Sequence, residues 1–112
     1  MEIWVEFDGT KWNVWPYTAV VAVGTPITWR FRTNLSTPQI RFSANFLRNS
    51  PFRNQGTHFT TTTTPVAGHH AGATGTVTAD DPGEYKYEVR AEDVAGQTLG
   101  FEDPFLNVTF QP

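Results

Sequence analysis

The chain has 112 residues, a formal net charge of −3 and no cysteine. This length is typical of one domain, and four Trp, three Tyr and nine Phe are enough to build a hydrophobic core. The lack of cysteine excludes disulfides, thiolate metal sites and thiol nucleophiles, and the acidic balance argues against a nucleic-acid partner.

The amino terminus and the hydropathy indicate a soluble protein. No apolar run approaches the roughly 20 residues of a membrane span, and Met1 leads directly into strand-like alternation instead of a charged and apolar leader. We therefore expect a single domain over residues 1–112 without membrane insertion. A cytoplasmic location is favoured if Met1 is the native start, but the sequence could equally be a domain cut from a larger chain.

Apolar and polar residues alternate along most of the chain, which predicts β-strands. The run 18–23 is nearly all apolar, which is typical of a strand covered on both sides or buried under loops. The last strand is expected to bury Leu106, Val108 and Phe110. In all, about eight strands are predicted, over residues 2–7, 18–23, 27–33, 39–43, 57–63, 74–79, 84–91 and 104–110.

Turn-forming residues separate the strands, and helix is scarce. The best helical candidate is the short segment 44–48. Asp81-x-Gly83-x-Tyr85 has the spacing of a tyrosine corner, in which the phenol bonds to the backbone just upstream. Short strands with such turns predict an antiparallel sandwich or barrel, with Trp29 as a large core residue.

Three segments resemble the cupredoxin family, in order along the chain. Residues 82–89 resemble the strand that delivers the copper-binding cysteine, residues 21–29 resemble a strand pair with a glycine turn before Thr-Trp, and residues 38–42 resemble the strand that opens with a ligand histidine. The resemblance spans roughly residues 18–110. It implies an all-β, antiparallel Greek-key β-sandwich of about eight strands with cupredoxin-like topology.

The same resemblance implies that the copper site is lost. The family's cysteine, second histidine and methionine fall on Val89, Glu92 and Gln97, and its first histidine falls on Pro38. A blue-copper centre needs one thiolate, two imidazoles and a weak axial ligand, and valine and proline offer no donor atom. We therefore expect no copper, no other cofactor and no electron transfer.

Alternate loops of an antiparallel sandwich emerge at the same end, where binding residues usually lie. This end is predicted to collect residues 9–17, 34–38, 64–72 and 92–104. We expect the chain to act there as a non-catalytic protein–protein interaction module, as a monomer or weak homo-oligomer. The candidate binding residues are Trp12, Trp15, Tyr17, His69, His70, Glu92, Asp93 and Phe101.

Two other functions remain open for the same loops. Trp12 and Trp15 would suit a stacking platform for carbohydrate, but they would equally suit a lid over the open end of the core. His69 and His70, with a carboxylate from residues 92–93, supply donors for zinc or copper(II), whereas adjacent histidines in a glycine-flanked loop usually face solvent.

Neither of two further patterns, a cationic stripe of arginines and a serine nucleophile, indicates a function. Arg30 and Arg32 point away from the core, and with Arg41 they would form a cationic stripe for an acidic partner only if all three shared one sheet. The cupredoxin arrangement separates them, which favours a solvated face. Only three serines are present, none of them in a nucleophile elbow, so we expect no enzymatic activity.

Overall fold

A computed structural model describes residues 1–33, 40–53, 55–63, 70–93 and 95–110. Within these ranges the chain forms strands and no helix, so no described segment is a helix able to cross a membrane. The eleven strands are β1 (Glu2–Phe7), β2 (Trp12–Trp15), β3 (Thr18–Ala22), β4 (Pro26–Thr33), β5 (Ile40–Asn45), β6 (His58–Thr63), β7 (His70–Thr78), β8 (Gly83–Lys86), β9 (Glu88–Glu92), β10 (Thr98–Glu102) and β11 (Phe105–Thr109).

Four strands form the first sheet, in the order β2-β1-β4-β7. β1 pairs antiparallel with β2 and parallel with β4, and β4 pairs antiparallel with β7. Because successive side chains of a strand point to opposite faces, Ile3, Val5 and Phe7 are buried in the core as predicted. The residues between them, including Trp4, lie on the outer face of this sheet.

The second layer is built around one long hairpin. Its first arm, β8 and β9, is interrupted at Tyr87, and its second arm, β10 and β11, is interrupted before Phe105. Across the interruption the backbone N–H of Tyr87 donates to the carbonyl of Pro104 at 3.1 Å. β11 also pairs with β3 in parallel, and β9 pairs with β5, which pairs with β6. The second layer thus contains one three-stranded sheet, β3-β11-β8, and one four-stranded sheet, β10-β9-β5-β6.

Aromatic rings fill the space between the two layers. Trp29 of β4 is fully buried, as predicted, and its ring centroid lies 5.4–6.2 Å from those of Phe46, Phe52, Phe59 and Tyr87. Three of these contacts are edge-on and one is stacked, both of which are favourable arrangements for aromatic pairs. Trp29 therefore joins the first sheet to residues of the second layer and its connections.

The predicted tyrosine corner is present at the start of the hairpin. The hydroxyl of Tyr85 donates to the backbone carbonyl of Asp81 at 3.2 Å. Gly83, between them, has a φ of 148°, and a Cβ at this position would lie 3.3 Å from the Tyr85 ring. Glycine therefore lets the turn adopt this conformation with the tyrosine ring packed against it.

The helix predicted for residues 44–48 is wrong. Ala44 and Asn45 instead end β5, where Ala44 lies opposite Phe59 of β6 on one side and Val89 of β9 on the other. Pairing on both sides of the strand overrides the intrinsic preference of alanine for helix.

Two burial predictions are also wrong, both in the three-stranded sheet. Val20 is 61% exposed because β3 has only one face on the core, where Ala19 and Val21 are buried. Phe110 is 77% exposed because β11 ends at Thr109, one residue before it. More strands are present than the eight predicted because the predicted strand 84–91 is divided at Tyr87, and because β2 and β10 form within the segments 9–17 and 92–104, for which the sequence predicts loops.

Candidate functional site

The end of the sandwich predicted to bind a partner carries several strand ends. In the first sheet, Phe7 at the end of β1 lies opposite Trp12 at the start of β2 and Thr33 at the end of β4. In the second layer, Arg41 near the start of β5 lies opposite Glu92 at the end of β9. Of the eight candidate binding residues, Trp12, Glu92 and Asp93 are near this end, and so is the backbone of His70, which lies opposite Arg32 of β4.

Trp12 packs against the core instead of facing a ligand. Its ring is stacked on Phe7, with centroids 4.4 Å apart, and meets Phe42 edge-on at 6.5 Å. A Cβ built on Gly100 of β10 would lie only 2.9 Å from the indole Nε1, so the missing side chain at Gly100 makes room for the ring. Trp12 therefore covers the end of the core, which is the lid alternative and not the stacking platform.

Glu92 and Asp93, the polar candidates at this end whose side chains the structure describes, do not belong to a metal-binding cluster of described residues. Asp93 shapes its own turn, because its Oδ1 accepts the N–H groups of Ala95 at 3.0 Å and Gln97 at 2.9 Å. His69 lies outside the described residues, and for His70 the structure describes only its backbone place at the start of β7. Among the residues that the structure describes, no group of three or more His, Cys, Asp or Glu side chains is arranged to hold a metal ion.

Trp15 lies on the outer side of the first sheet, directly opposite Trp4 of β1. Its side chain is 68% exposed, whereas Trp4 is half-buried. Glu6 of β1, Asn13 of β2 and Arg32 of β4 surround the pair, and together the five residues line a shallow cleft of about 240 Å³. We name this surface the tryptophan face (Trp4, Glu6, Asn13, Trp15 and Arg32).

The polar side chains of the tryptophan face hold one another in place. Glu6 accepts a hydrogen bond from the Asn13 amide at 3.2 Å and pairs with the Arg32 guanidinium at 3.3 Å. The Arg32 guanidinium lies 4.9 Å above the Trp4 ring, within the range of a cation–π contact. Arg30, which pairs with Glu2, lies 5.9 Å above the same ring. Two ion pairs, Glu2–Arg30 and Glu6–Arg32, therefore lie side by side next to the exposed indole of Trp15; we call these four charged residues the charge ladder.

A second surface lies on the outer side of β3, β11 and β8. The rings of Tyr17 and Phe105 meet edge-on at 6.2 Å, and the Tyr17 hydroxyl donates to the backbone carbonyl of Asp103 at 2.8 Å. Tyr17 is 41% exposed, Phe105 is 38% exposed and Val20 is 61% exposed. Partial desolvation and then the neighbouring Glu102 carboxylate raise the pKa of Tyr17.

Two clefts flank β8 on this side of the molecule. The first, of about 320 Å³, is lined by residues of β3, β8 and β11, among them Phe105 and Lys86. The second, of about 600 Å³, lies beyond β8, next to Leu47, which is 65% exposed. The clefts share Glu84, Tyr85 and Lys86 of β8, so they adjoin. We name this surface the hairpin face (Tyr17, Val20, Leu47 and Phe105, with the two clefts).

Comparison with solved structures reveals the architecture. The chain is similar to auracyanin A, a blue copper protein from the green thermophilic photosynthetic bacterium Chloroflexus aurantiacus, with a TM-score of 0.53 and 18% identity over 97% of this chain and 98% of that one. It is also similar to a mutant of amicyanin with copper(I), with a TM-score of 0.50 and 14% identity over 96% of this chain and 82% of that one. The fold is cupredoxin-like. No protein-family model and no curated protein sequence matches the chain.

The copper-ligand positions of this cupredoxin-like fold do not fit copper. Val89, which occupies the place implied for the cysteine, is the second residue of β9 and is fully buried between Ala44 and Glu102 of the neighbouring strands. Glu92 and Gln97 offer oxygen atoms, and Pro38 lies outside the described residues. A hydrocarbon side chain in place of the thiolate removes the donor on which blue-copper chemistry depends.

The sequence interpretation placed the candidate residues at one end, whereas the structure distributes those that it describes over that end and three other places. Trp15 belongs to the tryptophan face, and Tyr17 belongs to the hairpin face. Phe101 is 56% exposed on β10, opposite Arg90 on the second layer. The interpretation missed Trp4, although a signal was available, because the alternation of β1 already placed Trp4 on the outer face between two glutamates.

Proposed function

We propose that the chain is a non-catalytic protein-interaction module on a copper-free cupredoxin-like scaffold, and that it binds its partner through the hairpin face. The observation that carries the proposal is the exposure of four large apolar side chains on this face, of which Leu47 and Phe105 line two adjoining clefts. In monomeric proteins, clustered apolar surface with a polar rim marks places where other proteins bind.

The arrangement of the hairpin face suits a partner with an apolar ridge. Phe105 and Tyr17 support each other through their edge-on contact, and rigid aromatic anchors dominate binding energy at interfaces. Lys86 lies 5.9 Å from the Phe105 ring centroid and its ammonium is 3.9 Å from the Asp103 carboxylate. Such a charged pair at the edge of an apolar patch resembles the polar rim of protein interfaces, which contributes specificity more than affinity.

The position of this surface modifies the expectation from sequence. The described residues at the predicted binding end form polar turns, and Trp12 there is packed on Phe7. The hairpin face, by contrast, retains one of the predicted residues, Tyr17, and adds Val20, Leu47 and Phe105. The proposal therefore keeps the predicted type of function and moves the binding surface to the side of the sandwich.

The test begins with capture of partners by the immobilised chain from an extract of the source cells, followed by purification of each captured protein. Calorimetry with the purified partner should show that Phe105→Ala weakens binding by at least about tenfold, as expected for an anchor residue. The matched control is Trp15→Ala, which removes an exposed aromatic residue from the opposite face and should leave the affinity unchanged.

The proposal fails if no captured protein binds the purified chain, or if every partner binds Phe105→Ala and wild type equally. Sedimentation of the purified chain at several concentrations detects self-association. A dimer that Phe105→Ala disrupts would identify a second copy as the partner, whereas a dimer that it leaves intact would argue against the hairpin face as its interface.

A further inference from the structure

The outer side of the first sheet poses a separate question, because Trp15 exposes most of its indole without a role in the core. It is the most exposed of the tryptophans whose burial the structure gives, and it lies opposite Trp4 on adjacent strands. An exposed indole on a rigid sheet offers a flat apolar surface with a negative electrostatic face. A ligand that matches it has a flat face of weakly positive C–H groups.

The polar neighbours of Trp15 restrict the class of ligand further. Arg32 carries N–H donors, Glu6 carries acceptor oxygens and Asn13 carries both. Their mutual contacts, at 3.2 Å and 3.3 Å, hold these groups in place before any ligand arrives. Fixed groups lose less conformational entropy on binding, so the site is suited to hydroxyl groups that both donate and accept.

The charge of this surface distinguishes between classes of ligand. Glu2 pairs with Arg30 and Glu6 pairs with Arg32, so the four charges of the ladder cancel. Single-stranded nucleic acid also stacks on aromatic residues, but it binds in positively charged grooves that track its phosphates. A balanced ladder instead matches an uncharged ligand that is rich in hydroxyl groups.

The shape of the cleft indicates how much of the ligand is held. Its volume of about 240 Å³ is below the roughly 300–1,000 Å³ of pockets that enclose whole drug-sized molecules. The cleft lies on the outer side of β1, β2 and β4, where the sheet leaves it open at the surface. It therefore suits one ring of a longer chain whose neighbouring units pass over the sheet.

We propose that the tryptophan face binds a neutral polysaccharide, with one pyranose ring stacked on Trp15 and its hydroxyls hydrogen-bonded to Glu6, Asn13 and Arg32. A pyranose combines an apolar C–H face with a rim of hydroxyls, which are the two features that this surface complements. The site is on the opposite layer from the hairpin face, so the carbohydrate proposal and the protein-interaction proposal can each be correct or wrong independently of the other.

Affinity electrophoresis in native gels tests the proposal with defined probes. Gels contain mixed-linkage β-glucan, xylan, mannan or, as the anionic probe, dextran sulfate. We expect at least one neutral polysaccharide to retard the wild-type chain, and Trp15→Ala to raise its dissociation constant by at least about tenfold. Asn13→Ala is a second variant, expected to weaken binding less, and Phe105→Ala is the matched control that should bind like wild type.

Each other outcome overturns the proposal. Retardation by none of the neutral polysaccharides, or by dextran sulfate alone, excludes a neutral glycan as the ligand. Equal retardation of Trp15→Ala and wild type excludes stacking on this residue. Thermal melting of both variants accompanies the gels, because the exposure of Trp15 predicts a fold that is retained in Trp15→Ala, so that loss of retardation reports on binding.

Discussion

The two outer surfaces of the sandwich both expose aromatic residues, but they place different neighbours around them. On the tryptophan face, Trp15 stands beside a ladder of paired charges, with Arg32 above the adjacent Trp4 ring. On the hairpin face, the Phe105 ring meets the Tyr17 ring edge-on, and the exposed Val20 lies on the adjacent strand β3. Exposure alone does not specify a ligand, because the groups next to an exposed ring determine which ligands can bind it.

The difference between the two surfaces arises from the residues that neighbouring strands supply. On the first sheet, β1 is flanked by β2 and β4, so polar residues from three strands converge around Trp4. On the three-stranded sheet, β11 is flanked by β3 and β8, and the larger cleft lies beyond β8, next to Leu47. Trp15 lies on the edge strand β2 and Phe105 on the central strand β11, so the position of a strand in its sheet does not by itself distinguish the two surfaces.

The largest expected effect on stability is that of replacing a tryptophan that points into the core, compared with one that points into solvent. Trp29→Ala removes a fully buried ring that contacts four other aromatic residues, so the free energy of unfolding should fall by about 3–5 kcal/mol. Trp15→Ala should change it by less than about 0.5 kcal/mol, because this side chain is largely in solvent. Urea denaturation followed by circular dichroism measures both.

The pair of variants is informative in either direction. If Trp29→Ala unfolds with the same midpoint as wild type, the assignment of inward and outward faces on β4 is incorrect. If Trp15→Ala is strongly destabilised, Trp15 has a structural role, and the tryptophan face loses the residue on which the carbohydrate proposal depends.

An intermediate effect is expected where the first sheet meets β10 of the second layer. Gly100→Ala would place a Cβ 2.9 Å from the Trp12 indole and 3.0 Å from the Phe7 ring, so the core should be destabilised by about 1–3 kcal/mol. The indole N–H resonance of Trp12 should also shift in a ¹⁵N–¹H spectrum. The double variant Gly100→Ala with Trp12→Phe should recover part of the lost stability, since it removes the clashing ring.

If Gly100→Ala is neutral and leaves the Trp12 resonance in place, Trp12 is not seated against β10. It would then be available at the end of the sandwich as the sequence first suggested. The end of the sandwich that carries Trp12 would then be a third candidate binding surface.

The fold class could be predicted because its signals are local. Alternation in residues 2–7 and the Asp81-x-Gly83-x-Tyr85 spacing each specify a strand or a turn from neighbouring residues alone, and the structure contains both. The separation of Arg30 and Arg32 from Arg41 by sheet is likewise present, with β4 in the first sheet and β5 in the second layer.

The binding surfaces could not be predicted in the same way, because they depend on which strands become neighbours. Trp15 forms a cleft together with Trp4 and Arg32, which lie 11 and 17 positions away in the chain. Trp12 gains a different role from Gly100, on the other layer. Residues three positions apart, Trp12 and Trp15, therefore appeared equivalent in the sequence although one faces the core and the other faces solvent.

The smallest expected effect compares two tyrosine hydroxyls, one structural and one on the hairpin face. Tyr85→Phe removes the partly buried bond to the Asp81 carbonyl and should cost about 1 kcal/mol of unfolding free energy. Tyr17→Phe removes a bond to Asp103 at a more exposed position, where water replaces it, and should cost less. Paired denaturation curves of the two variants measure the difference. A larger loss in Tyr17→Phe would make Tyr17 a structural clamp between β3 and the hairpin, and Phe105 and Val20 would then have to supply the affinity of the hairpin face without it.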